Sequence, residues 1–275
     1  MTTQDKILFT DVVWDYYAHH GRDLPWRHLE ADTKEVGYKV LVSELMLQQT
    51  QVNRVIEKYQ QWMDKLPTID DVARSSLAEL LQLWSGLGYN RRAKYLQQAC
   101  QWLCTHTDGM PPNDIEVLRQ LKGIGPNTAA AILVYTFNQP HIFIETNVRT
   151  VYIHHFFNDA QNVSDVELMP YIADTVDKEQ PREWYWALMD YGSFLKKEYG
   201  NVAQRSSVYK PQPQFKGSQR QLRGLVIKQL LDGPKTTSEL MAMCADDARL
   251  PKVVSSLESE GLIVKTGVKY KLSDK

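Results

Sequence analysis

The sequence predicts a mainly α-helical protein: a helical body of about 200 residues, then a small α/β domain. Three observations predict it. Apolar residues recur at spacings of three and four through the body, as in Val52, Val55, Ile56, Tyr59, Trp62 and Met63, which marks one helix face. No comparable set of alternating strands occurs there. Beyond the polar stretch NVAQRSSVYKPQPQFKG, three short helical runs lead into LIVKTGVKYKL, which alternates around Thr266-Gly267 as a β-hairpin does.

The elements follow in order. Ser76 with Glu79 makes a capping box ahead of LLQLW, and Gly86 and Gly88 stop that helix. Asn90 precedes the amphipathic run RRAKYLQQACQWL, and Asn113 with Glu116 opens IEVLRQL. Leu121 ends that helix; Gly123-Ile124-Gly125 allows a tight turn, and Pro126 suits the first turn of the next helix. The run Ile142-Phe143-Ile144 leads into Glu145, Thr146 and Asn147, after which Val148, Val151, Tyr152 and His155 share one helical face. Residues 201–216 read as a linker, polar and aperiodic with two prolines. The runs QLRGLVIKQLL, TSELMAM and RLPKVVSSLESEG with the hairpin fill about 60 residues, the pattern of a winged helix. That module serves nucleic-acid binding or protein contact.

Composition sets bounds. With 43% hydrophobic and 24% charged residues, the 275-residue chain can bury a sizeable core in one to three domains. No apolar run approaches the roughly 20 residues of a membrane span, and MTTQDKILFTD has no signal-peptide pattern. Cys100, Cys104 and Cys244 are too few and scattered for a disulfide framework and read as reduced thiols of a cytoplasmic protein. The net charge of −1 conceals an asymmetry. Residues 201–275 carry 13 Lys and Arg against 7 Asp and Glu, the remainder 19 against 26. A basic tail suits a polyanion, although a solvated surface also accounts for it.

Three local features carry chemistry. In LKGIGPNTAAAIL, residues 121–133, the backbone N–H groups at the glycine turn point outward at a helix N-terminus, a site for a phosphate oxygen. No strand precedes the glycines, so a dinucleotide-binding reading fails. Helix-hairpin-helix fits, with a plain αα-hairpin as the alternative. In YKVLVSELMLQQTQV, Glu44 neighbours Val40, Leu41, Leu47 and Gln48 on a helix. An acid in an apolar stripe is desolvated and suited to donate a proton near neutral pH; a Glu at the helix edge is the other reading. Gln48, Gln49 and Gln51 can match donor and acceptor edges of a base. Glu145 also admits two readings, a site carboxylate or an acid at the positive end of a helix dipole.

LPWR (24–27), VSELMLQQTQV (42–52), LWSGLGYNRRA (83–93), LKGIGPNTAAAIL and ALMDYGS (187–193) occur in this order. Together they resemble the adenine DNA glycosylases of the MutY family, within the helix-hairpin-helix glycosylase superfamily. The resemblance covers residues 8 to 196 and implies a fold of two helical subdomains with a cleft between them. One is residues 36–139, six helices with the hairpin; the other joins 1–35 to 140–200. Residues 217–275 form the winged-helix-like domain. The resemblance makes Glu44 the acid that protonates N7 of an extruded adenine, and puts Glu145 across the cleft at the family's second carboxylate. It places Trp26, Arg27, Leu47, Gln48, Gln49, Asn127 and Asn147 at the base pocket or the probing segment. Tyr89 matches an aromatic wedge beside the opposing purine. Arg91, Arg92, Gly123, Ile124, Gly125 and Thr128 are implied on DNA, with a monovalent cation on the carbonyls of Arg119, Leu121 and Ile124.

Four departures qualify the resemblance. The second carboxylate is Glu rather than Asp. Asn127 stands where relatives carry Ser or Tyr, or Lys in strand-nicking enzymes, so no lyase activity is expected. The family's four iron–sulfur ligand positions fall at Lys196, Ala203, Ser206 and Gln212, so no cluster is expected. The family's nucleotide-hydrolase-like domain is replaced by the winged-helix-like one. The expectation is a monofunctional, monomeric glycosylase of base excision repair acting on double-stranded DNA with adenine opposite 8-oxoguanine or guanine. It is expected to be cytoplasmic, bacterial in type and nucleoid-associated. A glycosylase for hypoxanthine, uracil or thymine, and a non-catalytic mismatch-binding protein, are the alternatives.

Overall fold

The computed structural model describes residues 2–29, 33–245 and 247–274. Helices dominate it. The body contains α1 (Thr3–His20), α2 (Thr33–Leu47), α3 (Val52–Lys65), α4 (Ile69–Arg74), α5 (Leu77–Leu83) and α6 (Arg91–His106). It continues with α7 (Ile115–Gln120), α8 (Pro126–Phe137), α9 (Thr146–Phe156), α10 (Asp165–Thr175) and α11 (Pro181–Glu198). Then come α12 (Gln219–Leu231), β1 (Lys235–Thr236), α13 (Thr237–Met243), α14 (Leu250–Ser259), β2 (Ile263–Thr266) and β3 (Lys269–Leu272). The chain divides into two compact units: residues 1–27, 113–119 and 124–212, and residues 28–112, 120–123 and 213–275. The division runs through the turn joining α7 to α8.

In the first unit α11 packs along α9 and α1. Gly192 explains the close approach of α9 and α11: a Cβ there would lie 2.5 Å from the Asn147 carbonyl oxygen. Aromatic rings fill the interior. Phe143 stacks on Tyr185 with centroids 3.9 Å apart and donates its N–H to the Tyr185 hydroxyl. Asp190, on α11 and 2% exposed, accepts from the Arg22 amide and Nε at 2.7 and 2.6 Å and from both Arg27 terminal nitrogens at 2.8 and 2.7 Å. A buried charge is tolerated when it is paired and hydrogen-bonded, and this one is.

Residues 201–209, expected within a linker, are instead folded onto this unit. Val163 N–H donates to the Arg205 carbonyl and Ser207 N–H to the Val163 carbonyl, both at 2.9 Å. The Arg205 side chain donates to the carbonyls of Ala160 and Phe157. Ala203 and Ser206 are buried. The Arg205 side chain thus serves backbone acceptors, which composition cannot reveal. A second correction concerns α7. Asp114, not Asn113, caps it, its carboxylate accepting from the Glu116 and Val117 amides at 2.8 and 3.2 Å.

In the second unit α2 packs on α3 and α6, and α4 and α5 pack on α6. The Ser76–Glu79 capping box forms as the sequence predicts. Trp62 meets Trp84 edge-on at 5.7 Å and donates to the Tyr38 hydroxyl at 3.0 Å. The C-terminal part holds α12 to α14 and an antiparallel sheet in the order β1-β3-β2. Gly267, at φ +62°, turns the β2–β3 hairpin. Strand β1 has two residues, too short to leave an alternation in the sequence. This part packs α12 on α5, while Lys94 of α6 donates to the carbonyls of Glu260 and Gly261.

Candidate active site

Helix α2 is buried nearly all round. Ser43, Leu45 and Met46 are buried and Glu44, among them, is half-buried. The helix ends at a turn in which Gln49 takes φ +53°. Arg92 holds that end. Its Nη1 donates to the Leu45 and Met46 carbonyls at 2.6 and 2.9 Å, and its Nη2 to the Thr50 hydroxyl and the Leu87 and Gly88 carbonyls. Arg92 was expected on DNA; at 6% exposure, with both terminal nitrogens given to protein oxygens, it is corrected to an internal brace. Arg91, its neighbour, is exposed, 3.9 Å from Glu260.

The brace joins two loops. Leu47, Gln48 and Gln49 lie on one, and Tyr89, at φ +48°, on the other. Gln48 Nε2 also donates to the Gly123 carbonyl at 3.1 Å, which ties the first loop to the hairpin turn. Gly123 has φ +86°, and a Cβ there would lie 2.7 Å from the Tyr95 ring, so glycine is required twice over. Gly125 is the N-cap of α8 with Pro126 after it, and the cap makes no side-chain hydrogen bond. The first-turn amides of α8 are therefore not satisfied by a side-chain cap, as suits an oxyanion. Ile124 and Thr128 are buried.

In the first unit, Asn127 and Ile144 are paired. The Asn127 amide donates to the Ile144 carbonyl at 3.0 Å, and the Ile144 N–H reaches the Asn127 amide oxygen at 3.5 Å. That fixes the chain one residue before Glu145. Glu145 is the N-cap of α9, half-buried, and its side chain makes no cap hydrogen bond. Burial pushes its carboxyl above the usual glutamate range, against the smaller pull of Arg149 and the Thr146 amide. Arg149 is itself bound to Asp165 at 2.6 and 2.8 Å. Asn147 donates to the Met189 carbonyl at 3.1 Å. Trp26 is buried beside Arg27, whose guanidinium lies 5.4 Å from the Trp186 ring.

The structure thus gathers Leu47, Gln48, Gln49, Tyr89 and Gly123 in one unit, and Trp26, Arg27, Asn127, Glu145 and Asn147 in the other. Sequence reasoning missed Asp190, although its motif was in view. It also missed Arg220, which donates to the Tyr89 hydroxyl at 2.8 Å. Neither contact leaves a local signal. The positions matching cluster ligands hold Lys196, Ala203, Ser206 and Gln212, and Ala203 and Ser206 lie in the folded segment described above. This donor set does not fit an iron–sulfur cluster. Among the described residues, no group of three His, Cys, Asp or Glu side chains is placed to hold a metal ion. No helix among them is long and apolar enough to cross a membrane.

The fold is that of known DNA glycosylases. A thermostable thymine-DNA glycosylase superposes with a TM-score of 0.60 at 21% identity, over 75% of this chain and 97% of that one. Endonuclease III, in a non-covalent complex with DNA, gives 0.57 at 20%, over 70% and 87%. The model of the HhH-GPD superfamily of base excision DNA repair proteins matches residues 42–169. The adenine DNA glycosylase of Mycobacterium tuberculosis is 30% identical over 91% of this chain and 88% of its own. That of Mus musculus is 36% identical over 69% of this chain and 38% of its own. The chain belongs to the HhH-GPD superfamily and, within it, to the adenine DNA glycosylase family. It spans about a third of the length of the mouse and Arabidopsis thaliana relatives.

Proposed function

We propose that the chain is a monofunctional DNA glycosylase of base excision repair, acting as a monomer on adenine mispaired with 8-oxoguanine or guanine in double-stranded DNA. The observation that carries this is the half-buried Glu44 on α2, in a chain related over most of its length to adenine DNA glycosylases. In this reading the Gln48–Gln49 turn enters the duplex and the adenine is extruded, at a cost of a few kcal/mol offset by pocket contacts near Trp26 and Arg27. Glu44 donates a proton to N7 and the glycosidic bond breaks toward an oxocarbenium-like sugar. Glu145, ionised, stabilises that cation and accepts a proton from the water that adds to the sugar. The α8 amides at Gly125 take a phosphate. A monovalent cation on the carbonyls of Arg119, Leu121 and Ile124 would stiffen that grip. Asn127 offers no amine, so no Schiff base forms and the strand is not nicked.

A second reading, removal of another base, is favoured by Glu145 and Asn127 standing where the family pattern differs. A panel of duplexes, each with one altered pair and treated with alkali after incubation, tests both. Cleavage confined to adenine opposite 8-oxoguanine or guanine is the expected result. Cleavage at hypoxanthine, uracil or thymine instead would transfer the activity to that base. Binding without cleavage on every duplex would leave a mismatch-binding protein.

A further inference from the structure

An open cavity of about 420 Å³ lies between α1, the end of α9 and α10, all in the first unit. Its floor is aromatic and fixed. Phe9, 3% exposed, meets Phe156 at 4.9 Å between ring centroids, and Phe156 meets Tyr171 at 5.0 Å. Its rim on α1 is apolar and open, Leu8 being 56% and Val12 43% exposed, with Ile7 beside them at 48%. Asp5, Leu8, Phe9 and Val12 share one face of α1, at spacings of three, four and seven. Scattered exposed apolar residues are ordinary, but these adjoin one another and a cavity. His155, also in the lining, adds no charge at neutral pH, because burial, with His154 beside it, pushes its imidazole down to about 4.

The surroundings are acidic. Residues 1–20 hold three acids and one lysine, and residues 157–180 six acids and one lysine. Lys6 lies 3.6 Å from Asp174, and Arg149 binds Asp165, so both cations are themselves paired. Asp11 and Asp15 follow Leu8 and Val12 by three residues and therefore flank the apolar rim. Such a surface repels a phosphate backbone, and it repels a second copy of itself. The basic C-terminal part of the chain packs on α5 and α6. The walls of the groove are helices, so an extended strand has no ladder to join. What fits is a helix with apolar side chains on one face and Lys or Arg on the other.

We infer that the groove between α1 and α10 docks a basic amphipathic helix of a partner protein. That helix lays its apolar stripe on Leu8, Phe9 and Val12 and turns its cations toward Asp11, Asp15 and the acids of 157–180. The inference is independent of the glycosylase reading. It gives the first unit a protein-facing surface, made of residues that have no place in the proposed chemistry.

The test uses the full chain and fluorescence anisotropy. The probe is a fluorescein-labelled synthetic helix of about 15 residues, with leucine on one face and lysine on the other. One control has the same composition with its leucines spread round the helix; a second replaces lysine with glutamate. The probe should bind at least about 10-fold more tightly than either control at about 0.15 M salt. The double variant Leu8→Ser with Val12→Ser should lose about 10-fold of that affinity and keep the parent's duplex binding. Asp11→Asn with Asp15→Asn should lose about threefold and flatten the salt dependence. Alanine at positions 8 and 12 replaces serine if the serine variant fails to melt like the parent. A scattered-leucine control that binds as well as the probe reduces the groove to bulk charge and overturns the docking site. So does a serine variant that binds like the parent, or a probe that does not bind. Parent dimers in sedimentation equilibrium that the serine changes dissolve would assign the groove to a second copy, and the partner helix falls.

Discussion

Asp190 in one unit and Arg92 in the other are buried charged residues, and they are held in opposite ways. Asp190 meets opposite charge: two arginines from a segment more than 160 residues away close on its carboxylate. Arg92 meets no acid among the described residues. Its two terminal nitrogens end on four carbonyls and a hydroxyl, and burial pushes its guanidinium down to about 10, which leaves it charged near neutral pH. The ion-paired centre fastens the N-terminal segment to α11, so its work is mainly stability. The carbonyl-bound centre shapes the end of α2 and the Tyr89 loop, so its work is mainly the placement of groups proposed to read DNA. What a buried charge does in the fold depends on what its partners carry.

Asp190→Asn leaves Arg27 buried without a carboxylate and should cost about 3–5 kcal/mol, read by chemical denaturation. Folded enzyme should keep a single-turnover rate close to the parent's; a stable but inactive variant would move Asp190 into the chemistry. Arg92→Lys keeps the charge but not the fork of donors. It should cost about 2–3 kcal/mol and also slow base release about 10²-fold, because the Gln48–Gln49 and Tyr89 loops lose register. Loss of stability with no loss of rate would erase the contrast with Asp190.

Asn127→Ala removes the pairing with Ile144 and should cost about 1–2 kcal/mol, with Glu145 misplaced as a result. The smallest effect has the opposite sign. The carboxyl of Glu145 has a folded pKa above its unfolded value, so the folded state prefers it protonated. Ionisation at neutral pH then opposes folding. The penalty shrinks as pH falls through the raised folded value and is gone below the unfolded one. Glu145→Gln should therefore melt at or above the parent at pH 7 and lose that advantage in acid. The parent's activity should likewise fail on the acid side at a pH above the ordinary glutamate range. A Glu145→Gln variant clearly less stable at pH 7 would contradict the burial on which this rests.

What was legible in the sequence was local. Periodicity gave the helices, Ser76 and Glu79 gave a cap, and the glycines of 123–125 gave the hairpin. The winged-helix pattern appeared in its runs and its turn. What was not legible required folding first. Arg91 and Arg92 are adjacent in sequence, yet a single helical step leaves one exposed and sends the other inward. Asn127 and Ile144, Tyr89 and Arg220, and Asp190 with Arg22 and Arg27 are pairs that chain spacing does not announce. The folded stretch 201–209 looked like a connector because it is polar and aperiodic, while Arg205 and the backbone at Val163 and Ser207 fasten it. Candidate residues such as Glu44 and Glu145 could be picked out, but not what holds them.

Glu44 and Glu145 are proposed to act on one extruded adenine, and single-turnover base release tests this most directly. The substrate is a duplex with adenine opposite 8-oxoguanine, with alkali to reveal the abasic site. Glu44→Gln should release base about 10² to 10⁴ times more slowly than the parent while binding the duplex nearly as well. Glu145→Gln should lose most of the rate, and Glu145→Asp should also be slower than the parent, since a displacement of about 1 Å costs about 10²-fold where geometry is unforgiving. Glu44→Gln or Glu145→Gln cutting as fast as the parent would make that residue structural and overturn the proposed chemistry.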